Sequence, residues 1–254
     1  MTSTASRARN SKPLEIGARV GFAVNGLLHL LIGGIALGVA FGGGGEADQG
    51  GALGELASNP LGQVVLWVIV VGLAALGVFS ILTAVVDRGE TKDRVKNAGK
   101  GVAYLAVGGT ALTFALGGSS DSSQTTESLS AKLLATPGGV ILLVVLGLGV
   151  IAIGVYFVVK GAKKKFLDDI TDRGRATVVT GTIGYIAKGI AIGVVGILFI
   201  VAAFTADATK ATGLDGALKS LASLPLGVLV LAAVAIGLIA FGIYSFLRAR
   251  SARL

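Results

Sequence analysis

The stretch PLGQVVLWVIVVGLAALG, residues 60–77, carries one proline and three glycines in an otherwise largely aliphatic run. The same four positions recur twice further along the chain at identical spacing, in the pattern P-x-G-x9-G-x4-G. The three copies comprise Pro60, Gly62, Gly72 and Gly77, then Pro137, Gly139, Gly149 and Gly154, and finally Pro225, Gly227, Gly237 and Gly242. Self-similarity over such a length predicts a tandem-repeat architecture.

A second glycine pattern precedes each proline. Pairs of glycines occur seven residues apart, so both members lie on nearly the same face of a helix. The pairs are Gly26 and Gly33, Gly101 and Gly108, and Gly189 and Gly196. The first glycine of each pair precedes the proline by 34, 36 and 36 residues. The repeating unit is therefore predicted to be a hairpin, with an opening helix that carries the glycine pair and a second helix that carries the P-x-G pattern.

The composition places these helices in a membrane. Of the 254 residues, 53% are hydrophobic and 14% are charged, whereas charged residues make up roughly 25% of an average soluble protein. Most of the uncharged runs approach the ~20 residues that a spanning helix requires. We therefore expect an all-α, polytopic membrane protein with six transmembrane helices. The predicted spans cover residues of about 19–41, 60–86, 98–118, 137–160, 178–205 and 225–247.

The three hairpins are expected to share one orientation. Repeat 1 covers residues 18–88, repeat 2 residues 93–165 and repeat 3 residues 177–248, with cytoplasmic tails at 1–17 and 249–254. Because each hairpin enters and leaves the membrane on the same side, the copies are related by an axis along the membrane normal. This predicts a pseudo-threefold bundle. The first span completes a repeat, so we expect it to be retained and not cleaved as a signal peptide.

The charges predict the orientation and the partners. The formal net charge is +8, and most lysines and arginines fall in the tails and in the two connections between repeats. The positive-inside rule then places both termini in the cytoplasm. Anionic lipid headgroups at that face explain the basic clusters, so nucleic acid is not an expected partner. The connector 163–175 is predicted to be solvated. Tyr185 and Tyr244, near the cytoplasmic boundary, are expected to be packing residues or interface anchors of an aromatic belt.

The prolines and glycines of the P-x-G pattern have structural interpretations. A short amphipathic segment ends before each proline, which is expected in the first turn of the second span, where its missing N–H costs nothing. The three following glycines occupy an arc of roughly 140° on a helix. That arc predicts close contact with two neighbours, the partner helix of the hairpin and the adjacent repeat. A permeation path lined by glycine backbone is the alternative.

Two stretches of the opening helices, RVGFAVNGLLHLLIG (19–33) and GYIAKGIAIGVVG (184–196), carry a family resemblance together with the P-x-G pattern that follows them. Over nearly its whole length after about Leu14, the chain resembles the bacterial membrane family known as domain of unknown function 1206. The resemblance implies about six spans in three tandem units in a bacterial inner membrane, and it implies no activity. The second repeat departs from the pattern at Lys96, where the others have Gly21 and Gly184.

One tier of polar residues is expected inside the spans. Directly before the first glycine of each pair, the register of the repeats aligns Asn25, Lys100 and Lys188. Four residues later, on the same helix face, lie His29, Tyr104 and Ile192. Ionisable residues inside spans are candidates for function, and a ring of Asn25, Lys100 and Lys188 that binds an anion or a lipid headgroup is one hypothesis. The alternatives are a Lys188 that snorkels to the headgroups and a His29 that only packs.

The sequence predicts no catalytic centre. It has no cysteine and one histidine, and it lacks the motifs of nucleotide-binding loops, zinc proteases and serine hydrolases. We therefore expect no enzyme activity, no cofactor and no metal. The favoured hypothesis is a non-enzymatic membrane module that binds lipid or a partner protein, with homo-oligomers left open. The alternative is a small passive channel or transporter for an anion or small solute, with a path along the pseudo-threefold axis.

Overall fold

The computed structural model describes residues 12–86 and 91–252, and the regular elements in those ranges are helices. This confirms the all-α class. The α-helices of the described ranges are α1 (Lys12–Ala40), α2 (Gln49–Ala57), α3 (Pro60–Val86), α4 (Thr91–Ala115), α5 (Ser122–Leu134), α6 (Gly139–Ala162), α7 (Arg175–Thr205), α8 (Gly213–Ala222) and α9 (Gly227–Ser251). Two 3₁₀-helices, Lys165–Asp169 and Ala208–Lys210, lie in the connections. Residues 1–11 of the predicted N-terminal tail and 253–254 of the predicted C-terminal tail lie outside the described residues.

Five of the described helices are long and apolar enough to cross a membrane, judged by length and composition. These candidate spans overlap five of the six predicted ones. They are Arg19–Ala40, Pro60–Val85, Gly139–Ala162, Arg175–Thr205 and Gly227–Ser251.

The remaining predicted span, residues 98–118, corresponds to α4, which is not among the five candidates. α4 is a helix of 25 residues, which exceeds the ~20 residues needed to span a bilayer. Its first half carries Lys92, Arg94, Lys96 and Lys100, and these charges lower its mean hydropathy. The length of α4 is therefore that of a span, while its composition is less apolar than that of the other five helices.

The chain forms two compact units that do not coincide with the three repeats. The first unit contains α3 and α4, the beginning of α1 as far as Asn25, and the chain from Arg248 onward. The second unit contains Gly26–Ala52 and Asp121–Leu247, and hence α5 to α8 with most of α9. Each unit thus joins the second helix of one hairpin to the opening helix of another, α3 to α4 in the first unit and α6 to α7 in the second.

In the first unit, the start of α1 contacts both α3 and the end of α9. A Cβ on Gly21 would lie 3.1 Å from the Leu76 side chain of α3. Arg19 Nη1 donates hydrogen bonds to the carbonyl oxygens of Ala249 and Arg250, at 2.9 and 2.6 Å. Because the last carbonyls of a helix have no partner within the helix, this arginine caps α9.

The second unit contains a buried group of aromatic rings, which we call the aromatic cluster. It consists of the rings of Phe166, Tyr185, Phe241 and Tyr244, with neighbouring ring centroids 5.1–6.1 Å apart, together with the aliphatic side chain of Ile170. Phe166 and Ile170 belong to the connector that was predicted to be solvated, and both are fully buried. Tyr185 and Tyr244 are also buried, so of the two expected roles, packing or interface anchoring, they have the packing role. Packing of large rings against one another stabilises this arrangement because each ring removes a large apolar area from solvent.

The turn into each second span explains the first glycine of the P-x-G pattern. Pro60 begins α3, as predicted, whereas the other two prolines lie in turns two residues before α6 and α9. A Cβ on the glycine that follows would overlap a carbonyl oxygen of the preceding short helix in each repeat: Gly62 with Leu56, Gly139 with Leu133, and Gly227 with Ala222. This glycine therefore permits the close approach of the turn, a role that differs from the predicted contact with a neighbouring span.

Candidate functional site

Two residues of the predicted polar tier meet at one aromatic ring in the second unit. The His29 ring centroid lies 4.7 Å from that of Phe241. Lys188 Nζ lies 4.4 Å from the Phe241 ring centroid and 5.5 Å from that of Phe157. A cation at this distance from a ring face is attracted by the ring quadrupole. His29 and Lys188 are thus brought together at the edge of the aromatic cluster.

The other members of the polar tier belong to the first unit. Asn25 and Tyr104 are half-buried, and Lys100 is exposed. The ring of Asn25, Lys100 and Lys188 involves residues of both units, and it stays a prediction.

The glycines of the two sequence patterns form three contacts between helices, which we call the glycine joints. Each joint brings the last glycine of one P-x-G pattern against the first glycine of an opening helix: Gly77 with Gly101, Gly154 with Gly189, and Gly242 with Gly26. A Cβ on Gly101, Gly189 or Gly26 would lie 3.0, 2.5 or 2.9 Å from the carbonyl oxygen of its partner. Each joint lies inside one compact unit. Glycine is required here because the two backbones touch.

The contact continues two helical turns further along each opening helix. The second glycine of each pair again meets the partner helix of its joint: Gly33 meets Ala235, Gly108 meets Leu73, and Gly196 meets Gly147. Each opening helix therefore lies along the second helix of a different repeat over two turns. This is the physical reason why the compact units cut across the repeats.

The middle glycine of the P-x-G pattern has different surroundings in each repeat. A Cβ on Gly72 would lie 3.7 Å from Val20, which is an ordinary van der Waals distance. A Cβ on Gly237 would overlap the Cβ of Ala187, whereas one on Gly149 would meet no atom within 4 Å. Two of the three middle glycines thus face the opening helix of their own hairpin, and Gly149 faces open space.

A leucine covers two of the three glycine joints. A Cβ on Gly77 would lie 2.6 Å from Leu105 Cγ, and one on Gly242 would lie 2.8 Å from Leu30 Cγ. The register of the repeats aligns Leu30 and Leu105 with Gly193, in the joint between α6 and α7. A Cβ on Gly193 would meet no atom within 4 Å. The joint between α6 and α7 therefore lacks the leucine that fills the other two.

An open groove of about 360 Å³ occupies the place of the missing leucine, and we call it the Gly193 groove. Glycine backbone forms part of its lining, and valine and isoleucine side chains form the rest. The lining residues are Ile151, Gly154, Val155, Val158, Gly189, Ile190, Gly193, Val194 and Ile197. Sequence reasoning missed this site, although the alignment of one glycine with two leucines in the repeat register was a signal that could have located it.

Carboxylates gather near the starts of the short helices in the second unit. Asp48 is only 3% exposed, and its Oδ1 accepts a hydrogen bond from the Gly51 N–H at 3.0 Å, in the first turn of α2. Asp215 is 5% exposed. Its Oδ1 accepts a hydrogen bond from the Ala47 N–H at 2.8 Å, and its Oδ2 pairs with Lys219 Nζ at 2.8 Å. Asp48 thus acts as an N-cap of α2, whereas Asp215 joins the loop before α2 to Lys219 of α8.

The pKa values of two carboxyls in this region are raised. Burial raises the pKa of Asp48 above its ordinary value, and the nearby charge of Asp215 acts in the same direction, while the Gly51 N–H opposes both. Burial, followed by the charge of Asp121, raises the pKa of Glu46. In both cases the charged form is disfavoured because it leaves water for a less polar and more negative environment.

The residues that line the Gly193 groove limit the contacts it can make with a ligand. Within residues 12–86 and 91–252, no three histidine or carboxylate side chains are grouped so as to hold a metal ion. The Gly193 groove is lined by aliphatic groups and glycine backbone, so it offers dispersion contacts and no proton donor or acceptor on a side chain. A hydrocarbon chain is the kind of ligand that matches such a lining.

Comparison with known proteins identifies the relatives of the chain. A family model described as "Domain of Unknown Function (DUF1206)" matches three times, at residues 20–87, 95–164 and 183–252. The predicted tandem repeat and the family resemblance are thereby confirmed. A protein of Bacillus subtilis (strain 168) with the name "Uncharacterized protein YxxB" is 31% identical over 244 aligned positions, which cover 91% of this chain and 88% of the relative. No solved structure matches the chain.

Proposed function

The chain belongs to the DUF1206 family, and from this premise we propose that it is a non-catalytic membrane module that binds lipid between its tandem hairpins. The observation that carries the proposal is the Gly193 groove. It lies between α6 and α7, which are both long and apolar enough to cross a membrane. Inside a bilayer, close packing replaces the hydrophobic effect as the force between apolar groups. An acyl chain in the groove supplies the contacts that a leucine supplies in the other two joints.

The proposal includes α4 as a sixth transmembrane helix. Gly101 and Gly108 contact α3 at the same two places where Gly189 and Gly196 contact α6. The family model also matches the repeat that contains α4. Equivalent glycine contacts in equivalent repeats support an equivalent place in the membrane, despite the charges at the start of α4.

The glycine joints support a cyclic order of the three hairpins. The second helix of repeat 1 meets the opening helix of repeat 2, repeat 2 meets repeat 3 in the same way, and repeat 3 meets repeat 1. This order is what a pseudo-threefold arrangement about an axis along the membrane normal requires. The basic tails and connections favour cytoplasmic termini in a bacterial cell membrane, with anionic headgroups as partners.

Lipid retention by the purified full chain tests the proposed function. In native mass spectrometry from detergent, we expect the wild type to carry bound phospholipid and Gly193→Leu to lose it by at least about tenfold, or about 1.4 kcal/mol. The variant is expected to fold because it reproduces the leucine of the other two joints. The matched control is Gly149→Leu, since Gly149 also faces open space but does not line the groove. Equal lipid retention by Gly193→Leu and the wild type would overturn the proposal.

A further inference from the structure

Resting on the proposed function, we infer that the lipid in the Gly193 groove is an anionic phospholipid. One acyl chain lies in the groove, and the headgroup phosphate binds to the lysines that follow α6. The argument depends on the direction of the groove, on the charge at each of its ends, and on the contacts that other nearby cations already make.

The groove runs along the axes of two antiparallel helices. On α6 its lining extends from Ile151 to Val158, and on α7 from Ile197 to Gly189. Seven residues of helix correspond to a length of about 10 Å. The groove is therefore elongated, as an acyl chain is, and it has two distinct ends.

The end at Val158 leads to a cluster of exposed lysines. α6 ends at Ala162, and the next three residues, Lys163, Lys164 and Lys165, are all exposed. Lys163 lies five residues beyond Val158, about 7–8 Å along the helix axis. A lysine has a flexible four-carbon stem and three donor hydrogens, so it can approach a phosphate placed between it and the groove.

The opposite end of the groove has no such charge. α6 from Gly139 to Ile151 contains no charged residue, and neither does α7 from Ile197 to Thr205. The charges therefore orient the ligand: its headgroup belongs at the lysines, and its chain extends from there toward Ile151. The same lysines lie on the side predicted to be cytoplasmic, where anionic lipid headgroups attract basic side chains.

Two other lysines near the groove already have contacts inside the protein. Lys160 Nζ lies 2.7 Å from Asp169 Oδ2, and Lys188 Nζ lies over the Phe241 and Phe157 rings. These contacts hold both ammonium groups to protein partners. The role of binding the headgroup is therefore assigned to the exposed Lys163, Lys164 and Lys165.

The local charge favours an anionic headgroup over a zwitterionic one. Three consecutive ammonium groups are followed by one exposed carboxylate, that of Asp168, while Asp169 pairs with Lys160. A phosphatidylcholine headgroup carries its own positive charge, which these lysines repel, whereas phosphatidylglycerol carries only the phosphate charge. The preference is expected to weaken as salt increases, because exposed charges are screened.

Competition between two lipids with matched acyl chains tests the inference. The purified full chain is equilibrated with mixed micelles that contain equal amounts of phosphatidylglycerol and phosphatidylcholine, and bound lipids are counted by native mass spectrometry. We expect severalfold enrichment of phosphatidylglycerol on the wild type and on Gly149→Leu. The combined variant Lys163→Gln, Lys164→Gln and Lys165→Gln is expected to keep one bound lipid but to lose the enrichment. Gly193→Leu is expected to lose both lipids.

The outcomes separate this inference from the proposed function. If wild type binds both lipids equally and Gly193→Leu loses both, the groove binds lipid but the assignment of an anionic headgroup is wrong. If Gly193→Leu binds as much lipid as wild type, the proposed function itself fails. If wild type is a dimer without lipid and Gly193→Leu is a monomer, the groove holds a second copy of the chain, which overturns both. Circular dichroism of each variant checks that the helices are retained.

Discussion

Gly196 and Gly193 lie three residues apart on α7 and have opposite steric surroundings. A Cβ on Gly196 would lie 2.6 Å from the carbonyl oxygen of Gly147 and 2.7 Å from Ile151 Cγ1, whereas one on Gly193 would meet nothing within 4 Å. Alanine is favoured over glycine in a helix interior by about 1 kcal/mol. Alanine substitutions at the two positions therefore distinguish two effects on stability: the helix propensity of alanine over glycine, and the cost of forcing two backbones apart.

We expect Gly196→Ala to destabilise the protein by about 1–3 kcal/mol, because overpacking at a backbone contact exceeds the gain in helix propensity. Gly193→Ala is expected to leave stability unchanged or to raise it by up to about 1 kcal/mol. Denaturant unfolding in detergent micelles, followed by circular dichroism, measures both. A shift of the same sign and size for the two variants would show that the joint is not tightly packed.

Two of the short helices between the spans, α2 and α5, begin at carboxylate caps. Asp48 accepts the Gly51 N–H at the start of α2, and burial raises the pKa of its carboxyl. Asp121 accepts the Gln124 N–H in the same manner at the start of α5. A buried cap stabilises its helix through the hydrogen bond and disfavours its own charge, so the net effect depends on protonation.

We expect the free energy of unfolding to decrease as the pH rises above the ordinary aspartate pKa of about 4. The folded state binds the Asp48 proton more tightly than the unfolded state does, because its folded pKa is raised. This contribution is therefore present at low pH and is lost as the pH rises through the raised pKa. Asp48→Asn keeps an oxygen that can cap Gly51, and it should show a smaller loss of stability between pH 4 and pH 7.

Unfolding measured at both pH values for wild type, Asp48→Asn and the exposed-site control Asp168→Asn provides the comparison. The control is expected to follow the wild type. A pH dependence that is identical in Asp48→Asn and wild type would assign the effect to other groups.

For the whole molecule, the number of crossings decides on which side of the membrane each repeat begins. Five helices have the length and composition of spans, and α4 has the length but more charge. If α4 crosses, its two ends lie on opposite sides, and all three repeats begin on the same side of the membrane. If it does not cross, repeat 3 is inverted relative to repeat 1. The glycines of α4 contact α3 in the same way as the glycines of α7 contact α6, and this correspondence favours the crossing.

Single cysteines can test this because the natural chain has none. Thr91 is the first residue of α4, Ser119 lies four residues beyond its end, and both are exposed. In intact cells we expect a membrane-impermeant maleimide to label Ser119→Cys at once and Thr91→Cys only after the membrane is permeabilised. Equal labelling of the two variants before permeabilisation would mean that α4 does not cross.

Several features of the fold follow from local patterns. Periodic glycines and the repeated proline predict the hairpins and their number, because spacing along one helix fixes which residues share a face. Apolar runs of adequate length predict spans for the same local reason. The connector 163–175 shows the limit of such reasoning: its charges predict a solvated segment, yet Phe166 and Ile170 are buried in the aromatic cluster.

By itself, therefore, the sequence determined the helical class, the three repeats, the family and the positions where backbones can approach. Only the tertiary structure decided which helices approach there: Gly154 meets Gly189 of the next repeat, Gly62 serves a turn, and Gly149 meets nothing. It also decided that the missing side chain at Gly193, the position equivalent to Leu30 and Leu105 in the other joints, leaves the Gly193 groove. The physical reason is that a helix pattern specifies a face, whereas the partner of that face depends on packing between residues far apart in the chain.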